Sequence, residues 1–285
     1  FGGDAVAFYD SLAADLLESP ITVEFQLPSG DTESRQYTRS MLEYSAYNMA
    51  YERDARAFFL RVLASAARGD FQPLLRLAYM DYSYDPQTET ISEAFGDGEA
   101  PYYLIECNDY TFFGGLGEES AQAWLAAGNA VEQAVPRLNK LFYTDLPCVF
   151  WPVQGRAERP APFAGGDYPT FILNTTTDPA TPVCNGYNVF RRLADANADV
   201  YMITLQGGPH VIIGRENACP DVAITRWMVE GIRPAAREFI CEGTMFDAYT
   251  PLSLLACVAY VTPYGVDVHY GALPDPGHWG GLDLS

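Results

Sequence analysis

Two stretches of sequence restrict the fold more than any others. "PTFILN" at 169–174 and "DVYMITL" at 199–205 are apolar runs without polar alternation, and the helical "VCNGYNVFRRLADAN" lies between them. Strands of that kind are normally parallel and covered on both faces. The turn-forming "TTTDPATP" closes the first run, the loop "QGGPHVIIGREN" follows the second, and "CPDVAITRWMVEG" continues as a helix. This is α/β sequence. Two strands cannot complete a doubly wound sheet, and nothing in 1–165 offers comparable strand–helix units, so the missing strands are expected from sequence outside this chain.

A strand–helix–strand crossover is right-handed in nearly all proteins, which places the two strands side by side with their carboxyl ends on one edge. Asp178 and His210 follow those ends, where open α/β sheets carry their sites. A carboxylate at that edge can fix the imidazole tautomer and stabilise the imidazolium that forms when the ring takes a proton from a nucleophile. Acid before histidine is the α/β-hydrolase chain order. Each residue also has a plainer reading: Asp178, before Pro179, can shape a turn, and His210, after Gly207–Gly208–Pro209, can be an ordinary loop histidine.

Upstream, residues 4 to about 83 read as helical, with Phe8, Leu12 and Leu16, then Phe58, Val62, Leu63 and Ala66, recurring at helical spacing. Pro20 and Pro28–Ser29–Gly30–Asp31 punctuate the run, as does Gly69–Asp70. A polar stretch at 85–100 leads to the short apolar "YYLIECNDY" and a helix over Glu118–Val135, whose opening acids suit its positive end. The expected organisation is a mostly helical lid over 1–165, an α/β part over 166–243, and an uninterpreted tail over 244–285.

The formal charge is −20, with Lys140 the single lysine, which excludes the clustered cations that phosphate-backbone binding requires. No nucleic-acid partner is expected. The longest apolar run, around Pro251–Val261, falls well short of the roughly 20 residues of a spanning helix. Six cysteines without a CxxC pair or zinc-ligand spacing point to disulfides rather than a metal, and so to a secreted or otherwise extracytoplasmic protein, with buried free thiols as the alternative. No metal or cofactor is expected.

The stretch from "PTFILNTTTDPATP" through "LQGGPHVIIGRENACPDVAITRWMVEG" to "EFICEG" resembles the C-terminal region of α/β-hydrolase-fold serine peptidases of the tripeptidyl and prolyl aminopeptidase family. More weakly, "LASAARGDFQPLLRLA" and the arrangement Ile105–Asp109, Cys148 and Trp151 look like that family's lid. The resemblance implies that Asp178 and His210 are the acid and histidine of a catalytic triad. It implies that Glu106 and Asp109 grip the free α-amine of a peptide substrate, against a plainer reading as solvent-facing carboxylates beside Cys107. It further implies a Cys219–Cys241 bridge; Cys107–Cys148 is the second pair expected, leaving Cys184 and Cys257 open.

The departures are as informative. No G-x-S-x-G elbow and no Gly-rich oxyanion loop occurs; "PSGD", "EESAQ" and "TPLSLL" lack the flanking glycines and the strand-turn-helix context. Phe1 falls about where such a lid begins, so the chain is expected to be the second half of an aminopeptidase, as a cleavage product, a separate subunit or part of a longer protein. A partner polypeptide or N-terminal half would bring the serine. The rival expectation is a non-catalytic scaffold or binding subunit that keeps the hydrolase fold.

Overall fold

The computed structural model describes residues 4–109, 116–134, 137, 139–152, 166–215 and 217–243, together with the backbone of 260–261 and 267–268. Two compact units result: Phe1–Met49 with Asp54–Arg159, and Ala50–Arg53 with Pro160–Ser285.

In the first unit, helix α1 (Ala5–Glu18) starts where the Asp4 carboxylate accepts the Val6 and Ala7 N–H groups, and it buries Tyr9, Leu12, Ala13 and Leu16. The continuous helical reading of 4–83 is then corrected. Strand β1 (Ile21–Gln26) pairs antiparallel with β2 (Thr32–Tyr37), from Ile21 opposite Tyr37 to Gln26 opposite Thr32. "ITVEFQ" alternates, burying Val23 and Phe25 and exposing Thr22, Glu24 and Gln26, and the Pro28–Asp31 turn closes the hairpin. The period of two in this short segment lies between two segments of helical period.

Helices α2 (Arg39–Met49), α3 (Arg53–Ala66) and α4 (Gln72–Asp81) complete one core with α1 and the hairpin, in which Tyr37, Leu42, Leu74 and Leu75 are fully buried. The two-residue strands β3 (Tyr84–Asp85) and β4 (Thr90–Ile91) pair antiparallel. "YYLIECND", expected as a short apolar segment, is the second half of a longer helix, α5 (Glu93–Asp109), which contains Pro101. Helix α6 (Glu118–Ala134) follows, and Arg39 of α2 joins Glu132 of α6 at 3.0 Å and the buried Glu43 at 2.6 Å. Cys107 of α5 is bridged to Cys148.

The second unit is built on a parallel sheet in the order β5 (Thr170–Thr175), β6 (Val200–Gln206), β7 (Glu238–Glu242). Every residue of β6 is buried, as an unalternating central strand should be. Helix α7 (Val183–Asp195) packs Val183, Tyr187 and Phe190 against Val200 and Met202; helix α8 (Ala218–Glu230) contributes Ile224 to a second cluster with Ile203 and Leu205. Residues 200 and 202 thus join one cluster and 203 and 205 the other, as a strand's period of two requires.

Strand β7 corrects the expectation of only two strands here. "EFICE" is short and half exposed with a glutamate at each end, an edge-strand composition without the apolar run that identified β5 and β6. Cys241 of β7 is bridged to Cys219 of α8. Cys184 is disulfide-bonded as well, and Cys257 lies outside the described residues. Of the 244–285 tail, only the antiparallel pair β8 (Tyr260–Val261) and β9 (Asp267–Val268) is described. Among the described residues no helix is long and apolar enough to cross a membrane.

Candidate active site

Strands β5 and β6 pair in parallel from Thr170 opposite Val200 to Thr175 opposite Leu205, so the loops leaving their carboxyl ends start side by side. Asp178 stands in the first loop and His210 in the second. Their side chains meet: His210 Nδ1 lies 2.9 Å from both Asp178 carboxylate oxygens. The Asp178 side chain is 1% exposed and that of His210 32%, so the acid is enclosed while the ring remains reachable.

Local chemistry holds each partner in place. Asp178 Oδ1 accepts the backbone N–H groups of Ala180 (2.9 Å) and Thr181 (2.8 Å), and Oδ2 accepts the Thr181 hydroxyl at 2.7 Å. The same carboxylate therefore both shapes the turn and meets the imidazole, so the plain reading of Asp178 as a turn former holds. Asn174 donates from its side-chain amide to the Thr181 carbonyl at 2.9 Å, and Gly186 of α7 lets that amide come close, because any Cβ there would collide with it.

The loop carrying His210 is tied to the loop carrying Asp178. The Gly207 N–H donates to Thr176 Oγ1 and the Thr177 hydroxyl donates to the Gly208 carbonyl, each at 2.9 Å. Gly208 has φ +102°, where other residues are strained, and a Cβ on it would lie 2.7 Å from Leu205 Cδ2 and force that buried side chain to shift. On the other side, the His210 N–H donates to the Tyr51 carbonyl at 2.9 Å, and the Tyr51 ring meets the imidazole edge-to-face at 5.3 Å.

With Nδ1 committed to a buried carboxylate, Nε2 is the nitrogen left to exchange protons with a reacting group. Among the described residues no group of His, Cys, Asp and Glu is arranged to hold a metal ion.

Glu106 and Asp109 both sit on the last turns of α5 in the first unit, Glu106 half-buried and Asp109 exposed. Burial, then the nearby Asp145 and Asp109 carboxylates, push the Glu106 carboxyl above the usual range. Asp145 is itself raised by burial and accepts the Tyr102 hydroxyl at 2.6 Å. Asp145, Tyr102, Thr181 and Tyr51 were not singled out from sequence. Thr181 sat within the quoted "DPATP" turn, whereas Tyr51 carries no local signal, being far from His210 along the chain.

The TAP-like protein model of the α/β-hydrolases matches residues 136–241. Serine protease Hip1 of Mycobacterium tuberculosis is 31% identical over 87 residues, covering 30% of this chain and 16% of that protein. Carboxylesterase B of the same organism is 30% identical over 117 residues, covering 39% of this chain and 21% of that protein. The chain thus spans about a fifth or less of the length of these relatives. Residues 136–241, which include the parallel strands and the paired loops, are thus similar to the TAP-like α/β-hydrolases.

Proposed function

We propose that this chain supplies the acid and the base of a serine hydrolase whose nucleophile and oxyanion hole lie on sequence outside it. The observation that carries the reading is the 2.9 Å contact of His210 Nδ1 with a carboxylate enclosed at the carboxyl edge of a parallel sheet. In this reading His210 Nε2 takes the serine hydroxyl proton as the oxygen attacks the carbonyl. Asp178 stabilises the resulting imidazolium, and the proton passes to the leaving group as the acyl bond breaks. Water then repeats the cycle and frees the acid.

The open side of β5 supports a completing polypeptide. Among the described residues β5 pairs with β6 alone, and "TFILNT" has no charge or proline to guard its free edge, unlike β7 with Glu238 and Glu242. Added strands there would restore cover to both sides.

Peptide hydrolysis at a free N-terminus is the preferred chemistry, releasing single residues or short peptides. Its support is the group Glu106, Asp109 and Asp145, which offers negative charge for an α-ammonium. The names serine protease and carboxylesterase, borne by relatives, both denote acyl transfer and fit the same pair. The disulfides favour an extracytoplasmic setting.

The native assembly, treated with a fluorophosphonate probe, should label a serine on the completing sequence, and His210→Ala should abolish labelling. Absence of labelling in an intact assembly would establish the scaffold alternative instead. Glu106→Gln should raise KM for free-amine peptides while sparing N-blocked ones, and equal kinetics on both would remove the aminopeptidase assignment.

A further inference from the structure

Three of the contacts that hold the His210 loop come from one short segment remote in sequence. Ala50–Arg53, which joins α2 to the first residue of α3, groups with the second unit. The Tyr51 carbonyl accepts the His210 N–H at 2.9 Å, the Tyr51 ring packs edge-to-face on the imidazole at an interplanar angle of 74°, and Glu52 pairs with Arg215 at 3.3 Å. Backbone, ring and charge therefore all engage the stretch 210–215, which follows two glycines at positive φ, Gly207 and Gly208.

The hydrogen bonds at Gly207 and Gly208 hold the start of this loop and not the imidazole itself, whereas a ring nitrogen must keep its direction to within about 10–20° for proton transfer to stay efficient. Asp178 fixes Nδ1 only. The imidazole can still tilt about that contact unless a second surface limits it, and the Tyr51 ring is such a surface.

The geometry points to Tyr51 as a positioning residue for His210: its ring confines the imidazole against Asp178, with Glu52–Arg215 as the outer fastening of the same strap. The inference rests on the reading of His210 as the base of the site. Tyr51 acts through His210 and touches no reacting atom in this role. The Tyr51 main-chain contact survives substitution, and the contrast between leucine and phenylalanine at this position separates the ring from the hydroxyl.

The test reads the ring nitrogens of His210 by 15N NMR in the full chain within its native assembly, together with turnover. Tyr51→Leu should speed solvent exchange of the Nδ1 proton by about tenfold and lower kcat by a similar factor with little change in KM, since roughly 1.4 kcal/mol corresponds to a factor of ten. Tyr51→Phe, which keeps the ring, should restore both readouts. Glu52→Gln, which leaves the ring in place, should move both in the same direction by less, and it carries the test if Tyr51→Leu fails to fold.

Nδ1 exchange and kcat at parental values in folded Tyr51→Leu, or in Glu52→Gln where that variant stands in for it, would overturn the inference. Because exchange requires no turnover, an inactive assembly in which Tyr51→Leu still loosens Nδ1 would sink the hydrolase reading alone. An active one in which it does not would sink only the role of Tyr51.

Discussion

The Thr181 hydroxyl donates to Asp178 Oδ2 at 2.7 Å, while its own N–H donates to Oδ1 at 2.8 Å, so one residue fastens both oxygens of the carboxylate that meets His210. A carboxylate held at both oxygens cannot rotate away from the imidazole without breaking hydrogen bonds that burial makes costly to lose.

Thr181→Val keeps the backbone bond and removes the hydroxyl donor to Oδ2. Loss of one buried hydrogen bond is worth about 1 kcal/mol, so kcat/KM of the assembled hydrolase should fall by roughly five- to tenfold. Thr181→Ser should recover most of it. Steady-state kinetics on a chromogenic amide or ester checks both.

Gly208→Ala should destabilise the chain by about 2 kcal/mol, combining a left-handed backbone with a collision against Leu205. The midpoint of urea unfolding measures it. Gly214→Ala, also at positive φ but with open space around its Cβ, should cost less.

In the first unit, burial pushes the Asp81 carboxyl up from 3.8 to about 6, against the opposing pull of the Ser45 and Asn48 side chains. Tyr37, Tyr44 and Tyr82 also feel its charge. A carboxyl raised in the folded state contributes stability that is full below pH 3.8 and is lost as pH rises through about 6. Asp81→Asn should therefore melt higher than the parent at pH 7 and show a flatter Tm profile between about pH 4 and 6. Parallel profiles from calorimetry would refute this.

Replacing Cys219 and Cys241 together by serine opens a bridge that spans 22 residues and joins α8 to the edge strand β7. The expected loss is about 3 kcal/mol. Denaturant unfolding with and without reductant should show the parent, and not the double variant, weakened by reduction at this site.

Legibility of the fold followed the strength of local periodicity. Strand β6 was evident because burial on both faces demands unbroken apolar sequence, and β5, partly buried beside it, carries a run of the same kind. Hairpin β1–β2 and strand β7 were not, since a half-exposed strand of five or six residues has few apolar positions and can be masked by neighbouring helices. At the site, Asp178 and His210 could be named because a parallel pair has only one carboxyl edge. Tyr51 could not, because its place beside His210 depends on a contact between segments 159 residues apart (210 − 51).

The amino-acid sequence by itself determined the α/β character of 166–243, the acid-then-histidine order, and which half of a hydrolase this resembles, because covalent order and hydrophobic period are local properties. Only the tertiary structure decided that both Asp178 oxygens face Nδ1, that Thr181 fastens that carboxylate, and that a segment between α2 and α3 walls the imidazole. Those are matters of side-chain direction and long-range packing, which arise only when the chain closes on itself and polar groups withdrawn from water must find partners.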